Sequence, residues 1–198
     1  MTTAWVDALE PGAPDVVAAW RGIDAGAFLS VRREVRRRAG EGSAERLVGE
    51  LAVLAEALIA VVDRLSDADL RRPGGEEDWN VAQAVGHDCD ARAGLCLAAS
   101  RAATVRWPTD APRVVPGVPG SAEADRSTLI RRIAQSQRIV ERCARTVAGH
   151  ELDPCPLEHP LVGRLRCGEW LLFAGVHDLM HLEQLHRLAG TAAGTGVA

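Results

Sequence analysis

The strongest constraint on the fold of this chain is a recurrence of apolar residues at intervals of three and four. The pattern is clearest between residues 44 and 65, where leucines and valines mark one face of an amphipathic helix. Three more segments share this period, and we find no run of alternating β-branched residues that would predict a strand. The predicted helices cover residues 44–65, 80–103, 121–147 and 168–190. They predict an all-α fold, an antiparallel four-helix bundle.

The segments between these helices carry readable start and stop signals. Asn80 and Gln83 form a capping box, and Trp79 just before them could serve as its hydrophobic staple. Residues 107–120 contain four prolines and cannot be helical. We expect residues 149–167 to be irregular and the last helix to end at Gly190.

The length of 198 residues fits one domain with a small appendage. Residues 1–42 are predicted as a helical N-terminal extension, with one or two short helices between residues 15 and 39. The four-helix bundle follows over residues 43–190, and residues 191–198 are predicted to be a disordered tail. The sequence leaves open whether the extension packs on the bundle or on a second subunit.

Charge and cysteine usage exclude several classes of function. A net charge of −4 argues against nucleic acid as the main partner, and the arginines between residues 32 and 38 are predicted to form a solvated helix face. The five cysteines include no CxxC pair, so a disulfide framework is not expected. The chain has neither an apolar run long enough for a membrane span nor a signal-peptide pattern, so we expect a cytoplasmic protein.

Two histidines stand four residues apart in the otherwise apolar last helix. His177 and His181 therefore share one helix face and point into the same small volume. Buried imidazoles need partners, which a divalent metal or neighbouring hydrogen-bonding groups can supply. Residue 178 is aspartate, so the pair is not the HExxH motif of a metalloprotease.

A third histidine favours the metal. His87 lies two turns into the second long helix, after the small Gly86, and three histidines from two helices would leave coordination positions open, as catalytic metals require. Asp90 could orient a ligand or be a solvated acid. Arg92 could contact an anionic substrate or form a surface salt bridge. Cys89 is predicted to face away from the metal, because residues two apart on a helix diverge.

The remaining candidates have weaker signals. His159 is predicted to be structural, while His150 and His186 are predicted to lie on the surface. Trp107 and the proline-rich segment could cover the open end of the bundle, or the segment could be a plain connection.

Two motif-bearing segments resemble the DinB/YfiT-like family. EEDWNVAQAVGHDCDA, preceded by LSDADLRRPGG, is similar to that family's tryptophan, helix cap and first histidine. HPLVGRLRCGEWLLFAGVHDLMHLEQL is similar to its HPxxG turn, EW helix start and HxxxHxxQ ending. The resemblance covers about residues 44–190 and leaves out the N-terminal extension and the proline-rich segment.

The resemblance implies an up-down-down-up bundle and a divalent metal, zinc first and nickel second, bound by His87, His177 and His181. Asp178 and Gln184 fall within the same motif and are candidates for orienting the ligands or contacting substrate. Family members are often dimeric, so a homodimer is an expectation for this chain.

The resemblance also implies an activity on a small-molecule substrate. Several members use a low-molecular-weight thiol such as mycothiol or bacillithiol in S-transfer or isomerisation of an electrophile, and the composition mildly favours mycothiol. The alternatives are a metal-dependent hydrolase, a non-catalytic metal- or small-molecule-binding stress protein, and a dimerisation scaffold.

Overall fold

A computed structural model describes residues 4–23, 28–74, 78–111, 113–115, 117–160 and 162–194. The described part of the chain is mostly helical, with one short antiparallel sheet. Its elements are α1 (Ala4–Asp7), α2 (Pro14–Arg21), α3 (Phe28–Arg38), α4 (Ser43–Val62), α5 (Asp67–Leu70), α6 (Val81–Ala103), α7 (Arg126–Val147), β1 (Pro154–His159), β2 (Gly163–Arg166) and α8 (Cys167–Gly194).

The core of the molecule is a bundle of α4, α6, α7 and α8. Both α4 and α6 pack against α7 and against α8, so α4 and α6 occupy opposite corners of the bundle. Each of the four helices buries an apolar stripe in the shared interior, represented by Leu54, Leu95, Ile133 and Leu171. This burial supplies the main driving force for the fold.

Contacts between the helices give their directions. Asp90 of α6 pairs with Arg132 of α7, and further along Arg92 pairs with Gln137, so α6 and α7 run parallel. Their parallel course requires the long connection between residues 104 and 125.

The other two directions follow from one cavity at the end of the bundle. Val61 near the end of α4, Val81 at the start of α6 and Leu185 near the end of α8 line it together. Therefore α4 and α8 run one way and α6 the other. The up-down-down-up connectivity implied by the family resemblance is confirmed.

The predicted start of α6 is confirmed, whereas α7 begins later than predicted. At α6 the backbone N–H of Gln83 donates to Oδ1 of Asn80 at 2.9 Å, and the N–H of Asn80 donates to Oε1 of Gln83 at 3.1 Å, which is the predicted capping box. The next bundle helix begins at Arg126 rather than at Ser121. Asp125 is its cap, because its Oδ1 accepts from the first-turn N–H of Thr128 at 2.7 Å.

Two predictions for the C-terminal third were wrong. The strands β1 and β2, which lie where an irregular stretch was expected, pair antiparallel, with His159 opposite Gly163. Gly163 has a φ of 68°, a conformation that glycine adopts without strain. The last helix does not end at Gly190 but continues to Gly194 through residues rich in alanine, the best helix former. Residues 195–198 of the predicted tail lie outside the described residues.

The N-terminal extension packs on the bundle. Val16 of α2 is fully buried against Gly175 of α8. A Cβ on Gly175 would lie only 2.9 Å from both methyl groups of Val16, so the two helices are in close contact. The backbone N–H of Val16 donates to Oε2 of Glu50 on α4 at 2.9 Å. Two helices, α2 and α3, cover the 15–39 prediction, with residues 24–27 outside the described part. None of the described helices has the combination of length and apolarity needed to cross a membrane.

Candidate metal centre

The three histidines singled out in the sequence lie together between α6 and α8. The ring centroids of His177 and His181 are 4.6 Å apart, and the ring of His87 is 5.4 Å from each. Each ring offers a nitrogen, and these three nitrogens all lie within 4.8 Å of one another. Ligands bonded to one tetrahedral zinc at about 2.1 Å stand about 3.4 Å apart, so small side-chain adjustments would bring all three onto one ion.

The ring of His87 is oriented by the proline-rich segment. Its Nδ1 lies 2.9 Å from the carbonyl oxygen of Val118. A carbonyl oxygen can only accept, so Nδ1 carries the hydrogen and Nε2 keeps its lone pair. The ring of Trp79 lies 5.0 Å from the ring of His87, so this tryptophan, predicted as a staple, packs against the candidate ligand.

A buried carboxylate orients His177. Oδ1 of Asp88 lies 3.1 Å from Nδ1 of His177, and the side chains of the two residues are 1 % and 11 % exposed. Burial lowers the pKa of His177, although the hydrogen bond to Asp88 opposes this, so its imidazole is neutral at pH 7. A neutral imidazole that donates from Nδ1 has Nε2 available for a metal.

An amide orients His181. Nδ1 of His181 lies 2.9 Å from Oε1 of Gln184, one turn further along α8. The amide nitrogen of Gln184 donates to the carbonyl oxygen of Gly74, which fixes the amide so that its oxygen faces the histidine. Gln184 therefore lies where the family motif implies a residue that orients a ligand.

The three rings thus share one arrangement: each Nδ1–H is held by an acceptor, and no residue that the structure describes bonds to any Nε2. Hydrogen bonds of this kind fix the tautomer and ring direction of metal-bound histidines. Imidazole ligands suit zinc, nickel, copper or iron rather than magnesium or calcium, which prefer oxygen ligands. The residues present therefore fit a divalent transition metal, with room for a further ligand because the protein supplies three.

The structure decides between the roles that the sequence left open for Asp90. The exposed Asp90 does not reach a histidine: its Oδ1 accepts from Nη2 of Arg132 on α7 at 2.6 Å. Asp90 lies on the α7 side of α6, whereas Asp88 lies between α6 and α8. Asp88 was not among the predicted site residues, although both helices carry a His-Asp pair, at residues 87–88 and 177–178, that could have identified it.

Arg92 cannot contact a substrate, because its side chain is completely buried. Its guanidinium lies 3.1 Å from Oδ2 of Asp178 and donates to the carbonyl oxygen of Leu51 at 2.5 Å and to Oε1 of Gln137 at 2.7 Å. Asp178 has no exposed surface either. These two residues form a buried polar cluster behind the histidines. The cluster is not part of the open site.

Asp88 and Asp178 are close enough for their charges to interact. Burial raises the pKa of Asp178 well above its usual range, and the nearby Asp88 raises it further, against the effect of Arg92. For Asp88, burial opposes ionisation, but the hydrogen bond to His177 and the nearby Arg92 guanidinium lower its pKa. The carboxylate that carries the negative charge is therefore the one that contacts His177.

The other histidines lie outside the cluster. His159 faces Phe173 at 5.1 Å, and burial lowers its pKa to about 4, with His177 and His87 contributing in the same direction. His150 is exposed and pairs with Asp153 at 2.8 Å. His186 is half-buried rather than fully on the surface, because its ring stacks on Trp5 at 5.0 Å.

The cysteines offer no nucleophile at this site. All five are free and buried. Burial raises the pKa of Cys89 and of Cys96, and it raises the pKa of Cys167 to about 12, so these thiols stay protonated at neutral pH.

The fold and the site together define a four-helix bundle protein with three convergent histidines that can hold a divalent metal. The family model of the DinB superfamily matches residues 56–185, and the chain belongs to this superfamily. No curated protein and no solved structure matches the chain.

Proposed function

We propose that this protein is a metal-dependent enzyme in which a low-molecular-weight thiol, such as mycothiol, attacks an electrophilic small molecule. The observation that carries the proposal is the shared orientation of His87, His177 and His181, whose Nδ1–H groups are all held by acceptors. Zinc is the ion we propose first, and nickel second. A divalent ion bound by three histidines lowers the pKa of a coordinated thiol or water and so supplies a nucleophile at neutral pH.

The chain's own residues keep the three rings in place. Val118, Asp88 and Gln184 hold the histidine rings in their orientations, so that only small side-chain adjustments are needed on binding. The ionised Asp88 also makes His177 more basic, which strengthens it as a ligand. The buried Arg92–Asp178 pair lies behind this shell and supports its packing.

An external thiol fits the chemistry of the chain. Its own cysteines are buried with raised pKa values, so none supplies a thiolate. In the proposed step the sulfur lone pair forms a C–S bond to the electrophilic carbon. In a transfer, the leaving group departs with the electrons of its bond; in an isomerisation, the adduct rotates about the former double bond and the thiolate leaves again.

Hydrolysis is the alternative, and one observation favours it: His87 is only partly buried, so water can reach the site. A thiol-dependent enzyme should be stabilised by binding its thiol, whereas a hydrolase should not. A thermal-shift assay on zinc-loaded protein with mycothiol, bacillithiol and glutathione is the test. Our proposal expects a rise in melting temperature with a thiol, absent in His87→Ala and His177→Ala but kept in the exposed His150→Ala control.

Two outcomes would overturn the thiol reaction. If no thiol stabilises the wild type while ester or amide substrates turn over, the protein is a hydrolase. If neither thiols nor these substrates have any effect on a protein that retains its metal, a non-catalytic binding protein is the better description.

A further inference from the structure

An apolar groove runs along α6 from the candidate metal centre. It is a cavity of about 290 Å³, near the lower end of the range for small-molecule sites. One stripe of α6 forms its floor, represented by Ala91, Gly94 and Ala98, and its roof comes from the segment between Trp107 and Val118. Small residues on the floor leave the space open, and the walls are mainly apolar.

The roof of the groove is anchored at two places in its C-terminal part. The backbone N–H of Val115 donates to the carbonyl oxygen of Glu158 on β1 at 3.0 Å. The N–H of Gly120 donates to the carbonyl oxygen of Gln83 at 3.0 Å. Gly86 is also in close contact with Gly120, because a Cβ on Gly86 would lie only 2.8 Å from Cα of Gly120. The proline-rich segment is therefore an anchored wall that keeps the groove open, rather than a plain connection.

The groove and the metal centre share His87. Its ring lines the groove, and its Nδ1 donates to Val118, which belongs to the roof. A molecule lying in the groove would thus have one end beside a candidate metal ligand. From His87 to Arg101 the floor spans fourteen residues of helix, which is about 21 Å.

The charges in the lining define the ligand further. Asp90 and Arg101 are its charged residues. Arg132 pairs with Asp90 at 2.6 Å and neutralises it, whereas Arg101 forms no ion pair with any residue that the structure describes. The groove therefore carries one unneutralised charge, which is positive and lies at the end away from His87.

We infer that this groove binds the substrate of the proposed reaction, an elongated apolar molecule with one anionic group. The anion lies at Arg101, and the electrophilic carbon lies at the opposite end, beside His87. This inference rests on the proposed function for the reaction, but the binding itself can be measured without catalysis.

Gly94 provides a sharp test. A Cβ at Gly94 meets nothing within 4 Å, so Gly94→Leu extends a side chain into the groove without disturbing the helix. Gly49 on α4 is the matched control: it is also exposed inside a long helix with nothing within 4 Å of its Cβ, but it does not line the groove. Both substitutions replace a helical glycine, which favours the helix.

The experiment is calorimetric titration of the zinc-loaded protein with octanoate and with octan-1-ol. We expect wild type and Gly49→Leu to bind octanoate equally and Gly94→Leu to bind it at least about tenfold more weakly. Arg101→Gln should weaken octanoate binding about two- to fivefold and leave octan-1-ol binding unchanged.

The inference is overturned if wild type binds neither probe, or if Gly94→Leu binds octanoate as well as wild type does. The anionic class is overturned if Arg101→Gln affects both probes equally. Zinc content, measured on the same samples, separates this inference from the proposed function. If the protein holds its zinc but binds neither probe, the groove is not the substrate site, and the proposed metal centre is unaffected.

Discussion

Nδ1 of His177 on α8 lies 3.1 Å from Oδ1 of Asp88 on α6, and this hydrogen bond joins the two helices that carry the candidate metal centre. It places a negative charge behind one ligand and fixes the direction of its ring. Since both side chains are buried, the bond lies in a medium where water does not compete for it.

The first prediction concerns this hydrogen bond. Asp88→Asn removes the charge while keeping the shape, and we expect it to lower zinc affinity about 10- to 100-fold. A chelator competition assay measures the change. The control is Asp90→Asn on the same helix. The carboxylate of Asp90 pairs with Arg132 and not with a histidine, so this variant should bind zinc as wild type does. Equal losses in the two variants would contradict the role of Asp88.

The second prediction concerns the close approach of α6 to the proline-rich segment. In Gly86→Ala the new methyl group would lie 2.8 Å from Cα of Gly120, so the backbone must move and Val118 shifts away from His87. We expect the free energy of unfolding to fall by about 1–3 kcal/mol, together with weaker zinc binding. Urea titration measures the first and chelator competition the second.

Gly49→Ala is the control for this prediction. Its methyl group meets nothing within 4 Å, so the substitution should raise the free energy of unfolding by about 0.5–1 kcal/mol and leave zinc binding unchanged. A gain of stability in Gly86→Ala as well would show that the two backbones are not in firm contact.

The third prediction separates a structural from a substrate-binding role for Arg92. Arg92→Met removes the buried guanidinium, which leaves the carbonyl oxygen of Leu51 and Oε1 of Gln137 without their donor, and we expect a loss of about 2–4 kcal/mol in the free energy of unfolding. The exposed Arg138→Met should change it by less than about 0.5 kcal/mol. If Arg92→Met instead retained full stability and lost affinity for an anionic ligand, the buried pair would not have the role that its contacts indicate.

The fourth prediction follows from the lowered pKa of His159, about 4 in the folded protein against about 6.5 in an unfolded chain. Between these values the unfolded state binds the extra proton, so stability falls as the pH is lowered from about 6.5 to about 4. Allowing for partial solvent access, this histidine contributes about 1–2 kcal/mol to the loss. His159→Gln in the metal-free protein should make the decline shallower, and an NMR titration of His159 with a midpoint near 6.5 would contradict the account.

The sequence predicts the parts of this protein that depend on local pattern. The period of the apolar residues predicts the bundle, and the capping box at Asn80 predicts the start of α6. The spacing of His177 and His181 places both on one helix face. The hairpin after Asp153 was missed because both strands are short and β1 contains two prolines, which are unfavourable in strands.

The errors at the site arise from packing that no local pattern encodes. Both Asp88 and Asp90 lie near His87 in sequence, and only the contact of α6 with α8 decides which one reaches a ligand. A fully buried arginine such as Arg92 is uncommon, and both roles predicted for it, a substrate contact and a surface salt bridge, require an accessible side chain. Its partner Asp178 comes from a distant part of the chain. The homodimer, the cytoplasmic location and the identity of the substrate stay predictions.

The most direct test of the central claim is the metal content of the purified protein, measured by mass spectrometry on wild type and on His87→Ala, His177→Ala, His181→Ala and His150→Ala. The account predicts about one equivalent of zinc or nickel per chain in wild type and in His150→Ala, and its loss in each of the other three variants. Equal metal in all five proteins, or none in wild type purified and reloaded with zinc, would contradict it.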